Sequence, residues 1–467
     1  MSFTRIEFFL FFAAVLAGLA VLRDRQARKV LLLLASYYFY ACWDWRFLAL
    51  LMAATAVSYL VALGLDGTGG SQSKRKGLLL AGLVLNLGIL GFFKYCNFFC
   101  ESLGGILSPL GVQLGTLPIV LPIGISFYIF QMLSYLIDVY RGRLEPCRSM
   151  IDFALFVAFF PKLVAGPIVR AADFFPQLRS DVRMSWHDAF FGFRQFTIGL
   201  FKKVFIADRL TVFVDHVFAN AGGFDAGSTW LAVLAYGVQI YCDFSGYSDM
   251  AIGTARIMGY RLPANFESPY LATSVTDFWR RWHITLSTWL RDYLYIPLGG
   301  NRKGEWRTYL NLLITMVLGG LWHGASWTFV CWGALHGCAL VGDKWVGARL
   351  RPDHGASSPL ARFVGWSVTM LIVFTAWVFF RAASFGQAFL MLRQMYVHPG
   401  GISWCHPFAI SALLAIVLVH ILMAVDRLKL DQLRPDRMAT PVVLFSMWWL
   451  VLAFPAKGFN PFVYAQF

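Results

Sequence analysis

The sequence predicts an all-α polytopic membrane protein, and three observations carry that prediction. Of its 467 residues 58% are hydrophobic and only 14% charged, where soluble domains carry about 25% charged residues. Long apolar runs recur at 78–93, 117–137, 364–380, 408–425 and 439–455, and several approach the ~20 residues a helix needs to span hydrocarbon. None of these runs shows the strict alternation of a membrane β-barrel, and in lipid every backbone polar group has to be satisfied within a helix or a closed barrel.

The elements follow in order. Residues 6–22 form a first span whose basic cluster, Arg23 to Lys29, comes after the apolar stretch; a cleaved signal peptide carries its charge before it. The chain returns over 30–42, turns at Trp43-Asp44-Trp45-Arg46, and crosses again over 47–65, 78–100 and 117–137. Further basic clusters stand at Lys74–Lys76, at Lys344, Arg349 and Arg351, and at Arg427, Lys429, Arg434 and Arg437. Placing all of them inside the cell leaves both termini outside, after spans 364–380, 408–425 and 439–455. The net charge of +15 is therefore the charge of cytoplasmic loops facing acidic lipid or an anionic ligand, and no nucleic-acid partner is expected. The eight cysteines lie mostly in or beside apolar runs and offer neither a zinc pattern nor a disulfide framework. The chain reads as one integral domain, with N-terminal spans over 1–150, a core over 151–341 and C-terminal spans over 342–467.

Within 151–307 the apolar runs are short and broken by Pro161, Pro167, Pro176, Pro263, Pro269 and Pro297. Irregular backbone survives at membrane depth only when shielded by protein or lining a cavity, so re-entrant and interfacial helices are expected here. In "SVTDFWRRWHITLSTWLRDYLYIPLGGNRKG" (274–304), Ser274 and Asp277 have capping-box spacing. The helix they start should run to about Tyr295. Trp279, His283, Leu286 and Leu290 then share one face, with Arg280, Arg281 and Arg291 nearby. Two readings of His283 stand at this point: a hydrogen-bonded core residue of an interfacial helix, or a functional group.

The stretch "GGLWHGASW" (319–327) joins two apolar runs, 308–322 and 326–341, flanked on both sides by basic residues. They form a hairpin with His323 near its apex and Trp322 and Trp327 beside it. An intramembrane ionisable residue is a functional candidate, and imidazole suits proton transfer near neutral pH; a neutral histidine bonded to a backbone carbonyl is the structural alternative. His336, thirteen residues on, falls about 220° round a continuous helix and reads as a packing or supporting residue. "QIYCDFSGYSDMAIG" (239–253) places Asp243, Tyr247 and Asp249 in a spanning sequence, where carboxylates need partners; arginines from 280–291 are the expected ones. No metal cluster, phosphate-binding loop or nucleophile-elbow serine is recognisable.

Five stretches together resemble the membrane-bound O-acyltransferase family: "FFPKLVAGPIVRAADFFPQL" (159–178), "YCDFSGYSDMAIG" (241–253), "DFWRRWHITLSTWLRDYLYIPLGGNRKG" (277–304), "LGGLWHGASWTFVCWGALHG" (318–337) and "PFVYAQF" (461–467). The resemblance is to the bacterial polysaccharide branch, which includes the membrane subunit of alginate O-acetylation. It implies about 10–12 transmembrane helices in a ring, enclosing a funnel and a tunnel between the two faces. His283 and His323 match the family's two functional positions. Acetyl-CoA is the implied donor, Trp279, Trp282, Trp322 and Trp327 the tunnel wall, and Arg280, Arg281, Arg291 and Lys303 the grip on the donor's anionic part. The implied partners are a secreted or anchored SGNH-type acetyltransferase and polysaccharide machinery at the inner membrane. Alginate, cellulose and peptidoglycan acetylation compete as readings, with D-alanyl transfer to teichoic acid a more distant one. A transporter of acetyl donors or lipid-linked glycans is the alternative of another class.

Overall fold

The computed structural model describes residues 1–67, 71–112, 114–350, 358–398, 400–425 and 439–454. Among them every regular element is helical, and the one β-type contact is a single bridge between Phe224 and Ile402. Three helical segments are long and apolar enough to cross a membrane: Trp45–Asp66, Gln72–Leu110 and Pro359–Arg381, with mean hydropathies of 2.2, 1.9 and 2.0. Shorter apolar helices accompany them at Ile6–Val21, Ile125–Tyr140, Pro407–Met423 and Ala439–Ala453. The chain divides into two compact units, Met1–Phe196 with Met250–Pro263, and Thr197–Asp249 with Ala264–Phe467.

The first unit holds α1 (Ile6–Val21), α2 (Arg25–Ala41), α3 (Trp45–Asp66), α4 (Gln72–Leu90), α5 (Cys96–Leu107), α6 (Ile125–Tyr140), α7 (Met150–Ala158), α8 (Phe160–Leu163) and α9 (Ala171–Arg179). Asp24 starts α2 five residues earlier than hydropathy suggests, because its carboxylate accepts the Ala27 N–H at 2.7 Å and satisfies one orphan donor of the first turn. Asp44 caps α3 in the same way, and its hydrogen bonds to the Arg46 side chain hold the carboxyl below its usual range. The expected span 117–137 is shorter than its apolar run: the helix begins only at Ile125. Pro118 and Pro122 disfavour helical geometry at the residues before them, so the preceding apolar stretch runs outside helical structure.

The basic cluster of α2 is partly consumed inside the protein. Lys29 is buried and pairs with Asp152 at 2.7 Å, while Arg28 donates to the Val182 carbonyl at 2.5 Å. Lys162, from the first of the five stretches, is fully buried; it donates to the Gln131 side chain and to the Phe156 carbonyl and lies over the Phe156 ring. Arg351, the cluster Arg427–Arg437 and the closing "PFVYAQF" lie outside the described residues, as does the side chain of Arg349.

α10 (Trp186–Leu200) and α12 (Ala226–Ile257) contribute residues to both units. Between them lies α11 (Asp208–Ala219). The second unit continues with α13 (Val275–Arg281), α14 (Ile284–Leu290), α15 (Glu305–His323), α16 (Trp327–Leu350), α17 (Pro359–Arg381), α18 (Phe385–Tyr396), α19 (Pro407–Ala424) and α20 (Ala439–Ala453). The hairpin expected around residue 323 is α15 and α16. Its glycines serve that packing: a Cβ on Gly320 would lie 2.2 Å from the Phe329 carbonyl oxygen, and one on Gly324 2.2 Å from the Phe329 ring. They bring the two arms of the hairpin together.

Candidate active site

The helix expected from Ser274 to Tyr295 is interrupted. Ser274 caps α13 through the Asp277 N–H at 3.1 Å, and Asp277 reaches back to the Thr273 N–H at 3.4 Å. The chain then stops being helical at Trp282 and passes through His283 at φ 44°, ψ 53° before α14 begins. Left-handed backbone is uncommon for a residue with a Cβ and costs on the order of 1–3 kcal/mol, so the surroundings have to enforce it. Asn265 does so. Its backbone carbonyl accepts the Ile284 N–H at 2.9 Å, and its side-chain oxygen accepts from the Thr285 hydroxyl at 2.8 Å and the Thr285 N–H at 3.3 Å. The Asn265 amide in turn donates to Ser248 Oγ at 3.2 Å.

This break turns the His283 ring onto the edge of Phe244, with centroids 4.5 Å apart, and toward Trp322 at 5.7 Å and His323 at 6.2 Å. Both histidines are buried. His323 is the last residue of α15 and is boxed by rings of Trp322, Trp332 and Phe380 at 5.0, 5.0 and 5.3 Å.

Behind this pair stands His336. Trp279 Nε1 donates to His336 Nδ1 at 3.3 Å, and the His336 ring packs on Trp332 at 4.9 Å, the same tryptophan that borders His323. Trp279→Phe keeps the aromatic volume and removes that donor. The expected outcome is a fall of about three- to tenfold in kcat/KM with normal membrane accumulation, scaled from roughly 0.5–1.5 kcal/mol for one neutral hydrogen bond.

The carboxylates of α12 do find partners, but lysines supply them. Asp243 pairs with Lys203 at 2.6 Å, which also reaches Asp208 at 2.8 Å, and Asp249 pairs with Lys202 at 2.7 Å. Both lysines sit on the π-helical turn Phe201–Ala207, and a local widening of this kind re-aims side chains. The arginines expected here are engaged elsewhere: Arg281 pairs with Asp277 at 2.8 Å, one helical turn before it, and Arg291 with Asp292 at 2.8 Å.

A cavity of about 560 Å³ opens beside α13 and α14, lined among others by Trp279, Arg280, Arg291, Asn301, Thr315 and Lys344. Its size falls in the range of small-molecule sites, and three cations gather on one cavity that Trp279 links to the histidine cluster.

The chain matches the model of MBOAT, the membrane-bound O-acyltransferase family, over residues 146–381. It is 42% identical over its whole length, and the whole length of the relative, to a protein described as probable alginate O-acetylase AlgI of Pseudomonas putida. The chain belongs to the membrane-bound O-acyltransferase family. It is also 41% identical to the peptidoglycan O-acetyltransferase of Helicobacter pylori, over 81% of this chain and 75% of that one. To the teichoic acid D-alanyltransferase of Streptococcus thermophilus it is 27% identical, over 53% of this chain and 66% of the other. The protein is thus a membrane acyltransferase.

Of the residues singled out in the sequence, the fold brings His283, His323, Trp322, Trp279 and His336 into one cluster. Trp282 is fully buried, stacked on Phe278 and packed against Phe266 and Trp377. Arg280 and Arg291 reach the cavity; Arg281 and Lys303 do not line it. Trp327, at the start of α16, is 54% exposed. Tyr247 is buried, in the same α12 segment as the ion pairs. Sequence reasoning missed Asn265, Lys202, Lys203, Trp332 and Phe380. Only the lysines carried a signal, as two charges inside the apolar stretch around 196–207.

Proposed function

We propose that this acyltransferase transfers acetyl groups from a cytoplasmic thioester donor, acetyl-CoA, for O-acetylation of a polysaccharide outside the bacterial inner membrane. The observation that carries the reading is the buried pair of imidazoles at 6.2 Å. His323 acts as general base: it takes the proton of an acceptor hydroxyl as that oxygen attacks the thioester carbonyl. The C–S bond breaks, and the imidazolium returns the proton to the leaving sulfur. His283 orients the thioester by meeting its carbonyl oxygen. The aromatic box keeps water from the donor, and Arg280, Arg291 and Lys344 hold its phosphates.

Alginate is the favoured polymer, because the relative matched over its full length carries that description; peptidoglycan is the second reading, supported by the 41% identity to the Helicobacter pylori enzyme. The family resemblance adds a funnel and tunnel through the membrane. It also adds an SGNH-type partner that completes the transfer outside, together with the polysaccharide export machinery. Family membership leaves the transporter reading without support.

The reading is tested by measuring polymer acetylation in cells carrying His323→Ala or His283→Ala, with membrane levels of the protein checked. Wild-type acetylation in His323→Ala would overturn it. Arg280→Gln tests the donor site separately: KM for acetyl-CoA is expected to rise about tenfold with kcat little changed, since an exposed charge-assisted contact contributes roughly 1–1.5 kcal/mol.

A further inference from the structure

The loop "IPLGGNRKG" (296–304) closes the longest of the five stretches, and its lysine, Lys303, does not line the cavity beside α13 and α14. Asn301 does. Two glycines with positive φ shape the loop, Gly299 at 120° and Gly300 at 53°, angles that a residue with a Cβ rarely adopts. The Gly300 carbonyl accepts from Asn311 Nδ2 at 3.0 Å and from Thr308 Oγ1 at 3.4 Å, and both of these α15 residues are buried. Position 301 is thereby fixed against the helix that ends at His323.

The Asn301 side chain is oriented as well. Its oxygen accepts from Lys344 Nζ at 2.9 Å and from the Tyr295 hydroxyl. An ammonium only donates, so the amide oxygen has to face Lys344, and the two amide N–H bonds are left for a ligand. Lys344 and Tyr295 line the same cavity. This corner therefore presents an anion with one cation and one amide donor, held side by side through a shared oxygen.

Length decides which anion. Asn311, which ties the loop, stands twelve residues before His323 on α15, about 18 Å along a helix. In a pantetheine thioester about thirteen bonds separate the sulfur from the first phosphorus, and an extended chain gains ~3.5 Å per three bonds, so the arm reaches ~15 Å. A thioester at the two imidazoles thus leaves its first phosphate level with Asn301 and Lys344. We propose that these two residues form the subsite for that phosphate, the one joined directly to the pantetheine arm, with Asn301 Nδ2 and Lys344 Nζ both donating to it. The inference rests on the acetyl-CoA reading and deepens it; Arg280 and Arg291 remain for the rest of the donor's anionic part.

Calorimetric titration of the full chain in detergent with CoA, phosphopantetheine and pantetheine tests it, with CoA release from acetyl-CoA followed in parallel. Wild type should bind phosphopantetheine roughly tenfold more tightly than pantetheine, the scale of a charge-assisted contact. Asn301→Ala and Lys344→Met should each lower that ratio about fivefold while binding pantetheine as wild type does, whereas a misfolded variant would lose both ligands. Asn301→Asp keeps the acceptor contacts and replaces the N–H donors with a charged oxygen, so its ratio should fall to one or below. Lys303→Gln should leave the ratio unchanged. Equal binding of the two ligands by wild type overturns the proposal. So does a wild-type ratio in Asn301→Asp, or a loss in Lys303→Gln as large as in Asn301→Ala. Phosphate preference without turnover of acetyl-CoA would remove the acetyl-transfer reading and leave the subsite standing; turnover without the preference would do the reverse.

Discussion

Replacement of His323 by alanine is expected to lower acetyl transfer by about 10²–10⁴-fold, the contribution of a positioned general base, while the protein still reaches the membrane at near-normal levels. The side chain ends α15 and is enclosed by Trp322, Trp332 and Phe380, so truncation leaves a space shaped for an imidazole. Added imidazole should therefore restore part of the lost rate in the alanine variant. A residue that only packs the hairpin would give a different pattern: loss of protein from the membrane and no rescue. His323→Gln keeps hydrogen-bonding capacity without basicity and should be as inactive as alanine. Thioester hydrolysis in purified protein, followed by free CoA release, separates the chemical step from later delivery to polymer. A His323→Gln protein that releases CoA at the wild-type rate would remove the base assignment.

What the sequence made legible follows from the range of the interactions involved. Hydropathy and basic clusters marked the spans and the α15–α16 hairpin, because lipid exposure acts residue by residue. The two histidines were visible because an imidazole inside an apolar run is locally anomalous. Contacts between distant segments were not legible. Asp243 and Asp249 announced a need for cations, yet the nearby arginines were the local guess. The lysines that answer, at 202 and 203, reach them from a π-helical turn whose geometry has no simple sequence signature. The close approach at Gly320 and Gly324 was not legible either, because it depends on where Phe329 lies. The left-handed backbone at His283 was the largest departure: periodicity favoured one unbroken helix, and the interactions that break it come from residue 265.

Asn265→Ala is expected to cut acetyl transfer by about 10²-fold without touching either imidazole, the scale of a misplacement on the order of 1 Å in a reacting group. The variant removes the acceptor for the Thr285 hydroxyl and N–H and the donor to Ser248. Each buried group left without a partner costs about 1–3 kcal/mol, comparable with the strain stored in a left-handed residue. With the tether gone, residues 282–284 can relax toward the continuous helix that their sequence favours. The His283 ring then swings away from Phe244 and His323, and the thioester loses its guide. Asn265→Asp retains both acceptor contacts and should preserve far more activity than alanine does. Asn265→Leu, similar in volume, should resemble alanine if hydrogen bonding is what holds the hinge. Combining Asn265→Ala with His283→Ala distinguishes positioning from general destabilisation. If Asn265 acts through His283, the double variant is no slower than His283→Ala alone; multiplicative losses would assign Asn265 a separate role.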